Sequence, residues 1–381
     1  MALKVAARGG IPPFIVMDVV RAADERQAAG HDVIHLEIGQ PSTGAPKAVI
    51  AAAQAALAGD TLGYTGAFGL ASLRARLADW YRARYGVAVD RERIALTPGS
   101  SGAFVLAFLA AFDPDDRVAL ATPCYPAYRN ILTALGIEPV LVPAEAEHGY
   151  QPTPALLERA GRIDGLIVAS PANPTGSMMA PEELAALCAW CRRAGVRLVS
   201  DEIYHGITYG KQAATALAHG DEVIVVNSFS KYFSMTGWRL GWMIVPPDLV
   251  RAVECLAQNL FISPPTLSQH GALAVFDCVP ELEANVARYA RNRALLLEEL
   301  PRAGFDRLAP ADGAFYLYAD VAHMTNDSPA FCRRMLEEVG LAVTPGIDFD
   351  PDRGSRSLRF SFAGATADMA EAARRLRAWR R

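Results

Sequence analysis

The segment NSFSKYFSMTGWRLGW (227–242) sets Lys231 behind an apolar run, with Ser228 and Ser230 before it and Arg239 eight positions later. A lysine that closes a strand is ordinarily a solvated cap. One approached through small residues and followed by a cation suits imine chemistry, because desolvation and a nearby positive charge lower the amine's pKa. The arginine is also placed to neutralise a phosphate. SPANPTG (170–176) holds Asn173 between prolines, and turn chemistry explains the prolines and the glycine but not this asparagine. VSDEIYHG (199–206) ends an apolar run with Asp201 and Tyr204. A carboxylate at a buried strand end needs a cation or hydrogen-bond donors to stay charged, and a protonated pyridine nitrogen would serve. Finally, PGSSG (98–102) offers the N–H groups and hydroxyls of Ser100 and Ser101 at the start of an apolar stretch. That suits a phosphate at a helix N-terminus as well as an ordinary cap.

These positions fall at the ends of short β-rich runs, and the runs are what must position them. RIALTP, RVALATP, EPVLVP, GLIVAS, VRLVSDE, VIVVNSFS and GWMIVP recur from about residue 90. Helical stretches such as Gly102–Phe112, Pro154–Ala160 and Pro181–Ala194 lie between several of them. Alternation of this kind predicts an α/β unit with a mostly parallel sheet. Pro280 to Leu300 reads as a long helix leaving that unit. FYLYADV, LAVTPG and SLRFSFA then alternate with two helices, which predicts a smaller α+β unit, and the helix at Met17–Ala29 is expected to pack with it.

Composition narrows the function. The 381 residues are 51% hydrophobic and 20% charged, with a net charge of −4, so no basic excess exists for wholesale nucleic-acid binding. The longest apolar run, Gly102 to Phe112, is far short of the ~20 residues a membrane helix needs. The opening MALKVAARGGIPPF has no apolar signal-like core, and a cytoplasmic protein is the expectation. Six scattered cysteines form no disulfide framework, and Cys188-x-x-Cys191 falls on one face of a predicted amphipathic helix. The histidines are dispersed, without metal-ligand spacing. GYTGAFG and PGSSG both fall short of a dinucleotide or nucleotide fingerprint.

Asn-Pro-x-Gly, Asp-x-x-Tyr and Ser-x-Ser-Lys-x₇-Arg, in this order and spacing, resemble the class I/II aminotransferases, enzymes of fold type I that depend on pyridoxal 5′-phosphate (PLP). The resemblance runs from the Ile38-Gly39-Gln40-Pro41 loop to Arg359. It implies a seven-stranded, mostly parallel sheet flanked by helices in a large PLP-binding domain (45–285). A small domain (1–44 and 286–381) would close over the site. Lys231 would form the imine with PLP and act as base, and Asp201 would bond the pyridinium nitrogen. Asn173 and Tyr204 would hold the ring's phenolic oxygen, and Tyr125 would stack on the ring. Ser100, Ser101, Ser228 and Arg239 would grip the phosphate, joined by Tyr64 of the neighbouring subunit in a homodimer. Gly39 and Arg359 would bind the substrate carboxylate. Serines in the phosphate loop are a small departure, since backbone amides supply much of that grip.

The implied reaction is ping-pong transfer of an amino group between an L-amino acid and a 2-oxo acid. A C–S β-lyase or synthase on the same scaffold is the alternative, because fold and cofactor do not fix the chemistry. A PLP-binding sensor module would need a DNA-binding domain ahead of it, for which the loop at Gly39 begins too early. For the substrate side chain, Ala257–Phe276 contains no Arg or Lys, and Ile11-Pro12-Pro13-Phe14-Ile15-Val16 is wholly apolar. Both argue for neutral or aromatic substrates over a strictly dicarboxylic pair. Arg21 or His31 could restore a charge, which keeps aspartate aminotransferase as the alternative.

Overall fold

The computed structural model describes residues 3–379. Helix α1 (Ile15–Ala28) leads into the short strand β1 (Ile34–His35), and α2 (Lys47–Gly59) and α3 (Ala71–Tyr85) follow. The seven β-rich runs all become strands: β2 (Ile94–Thr97), β3 (Arg117–Thr122), β4 (Glu138–Pro143), β5 (Gly165–Ala169), β6 (Arg197–Asp201), β7 (Ile224–Ser228) and β8 (Gly241–Ile244). Between them run α4 (Gly99–Ala111), α5 (Pro126–Leu135), α6 (Pro154–Arg159) and α7 (Pro181–Ala194). Helix α4 starts three residues earlier than its apolar run, so Ser100 and Ser101 lie inside its first turn. Cys188 and Cys191 are buried on α7, as the periodicity predicts.

The strands form one sheet in the order β2-β8-β7-β6-β5-β3-β4. Every pair is parallel except those made by β8, which runs against both neighbours. A parallel return needs a crossover, usually a helix, whereas the β7–β8 connection carries only a short 3₁₀ turn, so the chain doubles back. Two reversals leave β2 running with the majority. The loops after β2, β3, β4, β5 and β6, and the one that joins β7 to β8, therefore open at one edge, where open α/β sheets hold their ligands. Both faces of the sheet are covered, and β2, β7 and β8 are buried throughout.

The remainder comprises α8 (Val250–Leu260), α9 (Thr266–Leu273), the long α10 (Val279–Arg302), β9 (Arg307–Leu308), β10 (Tyr316–Asp320), α11 (Ser328–Val339), β11 (Leu341–Ala342), β12 (Thr344–Pro345), β13 (Ser357–Ser361) and α12 (Thr366–Ala378). An antiparallel sheet of order β12-β13-β10-β9 forms here, and β1 pairs with β11. Helix α1 packs on β11 and β12, as expected for the N-terminal helix, and α10 packs on α12. No helix among the described residues is long and apolar enough to cross a membrane.

Candidate active site

Strand ends at that sheet edge and segments from the C-terminal sheet and α1 enclose a cavity of about 630 Å³. Lys231, in the β7–β8 connection, reaches Gly39 O with its Nζ at 2.5 Å and stands 5.9 Å from the centre of the Tyr204 ring. Burial, then the Arg359 and Arg239 charges, pull its amine down to about 8, with Asp201 opposing. Asp201 closes β6 and is 3% exposed. Burial pushes its carboxyl up to about 6, although Tyr128 Oη and the Ile203 N–H both donate to it. A carboxylate so placed lacks a hydrogen-bonded cation. Glu202, next in sequence, is outside the cavity and accepts from Thr215 Oγ1 and the Ala216 N–H, anchoring the end of β6.

One side of the cavity is built for an anion. Ser100 and Ser101 line it from the first turn of α4, where backbone N–H groups are unpaired within the helix. Gly99 has φ +70°, and a side chain there would collide with the Arg239 guanidinium, so glycine lets the arginine lie against the helix terminus. Arg239, itself at φ +51°, donates through Nη1 to Thr236 O at 3.1 Å. Ser228 does not line the cavity. Its Oγ bonds Ser230 Oγ at 2.8 Å and Leu240 O at 3.2 Å, and Ser230 takes the lining position. Ser228 is still the last residue of β7, whereas Ser230 lies past the strand end, in the turn that carries Lys231 to the cavity.

A second anion position surrounds Arg359, 3% exposed on β13. Its guanidinium is sandwiched between Tyr316, at 4.4 Å from the ring centre, and Phe349, at 4.7 Å. Nη1 donates to Asn173 Oδ1 at 2.9 Å, and Nη2 donates to Glu37 O and to Thr344 Oγ1. Nε is buried without a protein partner. The Nε hydrogen and the second Nη1 hydrogen thus have no acceptor in the protein, which leaves donor capacity for an anion. Tyr204 Oη lies 2.7 Å from Tyr316 Oη. A side chain at Gly39 would strike Tyr316, so the loop can pass only as glycine.

Tyr125 lines the cavity and meets Phe14 edge-on at 5.7 Å and Tyr128 at 5.3 Å. Of the cofactor- and substrate-binding residues that the resemblance implies, all but Ser228 and Tyr64 line this one cavity. Tyr64 is 82% exposed and outside it. Sequence reasoning missed Tyr128 and Tyr316, and it took Ser230 only as a small residue on the approach to Lys231. Tyr128 lies one turn beyond Tyr125 in the same TPCYPAY segment, a signal that could have found it. The remaining wall is apolar: Phe14, Val16, Met17 and Val20 from α1 and its cap, with Ile38. Arg21 pairs with Asp18 outside the cavity, and His31 lines a separate one beside Asp32 and Trp379, so neither brings a charge here.

A lysine amine, a buried carboxylate and two anion positions around one cavity, at the edge of a largely parallel sheet, suit an enzyme that works on amino acids through an imine-forming lysine. The chain belongs to the class I and II aminotransferase family, whose model matches residues 31–376, and it is an aminotransferase. It is 52% identical to the valine–pyruvate aminotransferase of Mycobacterium tuberculosis, over 100% of this chain and 99% of that protein. A crystal structure of an aminotransferase from the same organism superposes with a TM-score of 0.97 at 52% identity, covering 99% of both chains. The aspartate aminotransferase of Thermus thermophilus with maleate gives 0.93 at 30% identity, over 99% of this chain and 100% of that one.

Proposed function

We propose that this aminotransferase works with PLP and moves the amino group of a neutral, apolar L-amino acid to a 2-oxo acid such as pyruvate. The observation that carries the substrate class is the wall of Phe14, Val16, Met17, Val20 and Ile38, facing a cavity whose lining cations, among the described residues, are Lys231, Arg239 and Arg359 alone. Each of those three has a task in the reaction. A distal carboxylate against such a wall would lose its hydration without a partner, at a cost of several kcal/mol, whereas an aliphatic side chain gains about 1–3 kcal/mol. The valine–pyruvate activity named for the 52% identical relative points the same way.

The donor set fits the cofactor. The Gly99 cradle, Ser100, Ser101, Ser230 and Arg239 would hold its phosphate. Asp201, short of a cation, would hold the protonated ring nitrogen, Tyr125 would cover the ring, and Asn173 and Tyr204 would hold its ring oxygen. When bound, PLP supplies an electron sink for the substrate's α-carbon. Arg359 grips the carboxylate and orients that carbon, and the Lys231 Nζ removes its proton, a task suited to an amine held near 8. We assign residues 45–285 to the cofactor-binding domain and 1–44 with 286–381 to the domain over the site, since the cavity draws residues from both. A homodimer is part of this reading, resting on exposed Tyr64. So is a cytoplasmic setting, supported by the six unpaired cysteines.

Steady-state kinetics with the twenty amino acids against pyruvate and 2-oxoglutarate test the proposal. We expect kcat/KM for valine to exceed that for aspartate by at least about tenfold. Aspartate exceeding valine, alanine, leucine, methionine and phenylalanine would show the wall argument to be wrong. Pyruvate released from an S-alkyl cysteine without any acceptor would mark a β-lyase instead.

A further inference from the structure

The apolar wall is only as well placed as the first turn of α1, where Met17 N–H finds a local acceptor in Phe14 O at 2.9 Å but the two N–H groups ahead of it find none nearby. The residue before the helix is Phe14, whose side chain accepts no hydrogen bond. The leading N–H groups are instead capped from the far end of the chain. Asp348 Oδ1 accepts from the Ile15 N–H and Oδ2 from the Val16 N–H, both at 3.2 Å, across more than 330 residues of sequence. Asp348 is fully buried, in the turn Gly346–Asp348 that follows β12. Arg129 Nη2 fixes the same turn by donating to Asp348 O at 2.6 Å. The next residue, Phe349, is one of the two rings that sandwich Arg359. One carboxylate therefore joins the backbone that carries Phe14 and Val16 to the segment that seats the proposed carboxylate-binding arginine.

We propose that Asp348 is a positioning residue for substrate selection. By clamping the first turn of α1, it sets the distance between the apolar wall and Arg359, and hence the length and branching of side chain the cavity accepts. The proposal rests on the reading that this wall receives the substrate side chain. Burial alone would discourage a carboxylate here. Two backbone donors and a helix N-terminus supply the compensation a single structural contact would not need.

Two measurements on the cofactor-loaded enzyme test it. The first is residue-resolved amide hydrogen exchange of the unaltered protein, which needs no substrate. The first N–H groups of a helix normally have no partner and exchange fast. Those of Ile15 and Val16 should be protected, and should exchange at least tenfold faster in Asp348→Asn, where a single oxygen replaces the two acceptors. The second is the ratio of kcat/KM for valine to that for alanine, which a general loss of stability would not move. It should fall at least tenfold in Asp348→Asn, and Asp348→Asn added to Phe14→Ala should change it little further. Fast exchange at Ile15 and Val16 in the unaltered enzyme overturns the clamp, as does an unchanged valine-to-alanine ratio in the variant. An unaltered enzyme that ignores valine refutes the proposed substrate class instead, while the exchange data still decide the clamp.

Discussion

Asp201 and Lys231 are displaced in opposite directions by one cause, burial of the charged form, and each displacement has a measurable consequence. Asp201 holds its proton up to about 6 in the folded chain, against an ordinary 3.8. The native state therefore binds more protons than the unfolded chain between those values. Stability of the cofactor-free protein should fall as pH rises from about 4 to about 6 and stay lower above, by at most ~3 kcal/mol for this group. Asp201→Asn removes that penalty. Stripped of cofactor, the variant should melt above the unaltered protein at pH 7.5 and no higher than it near pH 3.5, while being crippled in amino transfer. A variant that melts lower at both pH values would contradict the burial argument. For Lys231→Ala, turnover should fall at least about 10³-fold while the anion cradle still retains cofactor, read by absorbance after gel filtration. Undiminished turnover would remove Lys231 from its proposed role.

Elements place these residues through a few tight junctions. The turn from β2 into α4 is one: Gly99 takes a positive φ and leaves space for the Arg239 guanidinium. Gly99→Ala adds backbone strain of about 1 kcal/mol and displaces the arginine. The stripped variant should bind cofactor at least about tenfold more weakly by fluorescence titration, with a modest drop in melting temperature. Unchanged affinity would mean that Arg239 does not depend on this cradle. The junction between Gly39 and Tyr316 works likewise, since the loop passes only because Gly39 has no side chain. There a chain segment from the N-terminal region is packed onto β10, more than 270 positions later.

At the scale of the whole molecule, Tyr64 has no place in its own subunit's cavity. Large apolar side chains stand exposed nearby in sequence, Ile50 and Leu57 on α2, and also Leu260 and Ile262 at the end of α8. Thr266 Oγ1 donates to Gly63 O at 2.7 Å, so the start of α9 and the Tyr64 segment form one surface. Such a surface is suited to burial against a second copy with two-fold symmetry. Light scattering should give twice 40.9 kDa, and Tyr64→Ala should weaken cofactor binding if that phenol completes the neighbour's phosphate site. A fully active monomer would exclude a shared site.

The amino-acid sequence determined the parts of this protein that are local. Seven strands, the α7 boundaries and the residues ending β6 and entering β8 follow from hydrophobic period, turn residues and spacing within about twenty positions. Lys231, Asp201, Asn173 and Arg239 were legible because polar groups at the ends of buried strands have few bland explanations. Strand order, the reversed β8 and the inward serine were not legible, since each depends on which neighbour the chain meets. Tyr316 is the clearest case: in FYLYADV it reads as one more core tyrosine, and only its packing on Arg359, Tyr204 and Gly39 makes it part of the site. Asp348 is similar, an ordinary acidic turn residue until α1 arrives above it. A side chain's role here is set by partners hundreds of residues away, and tertiary packing alone brings those partners within hydrogen-bonding distance.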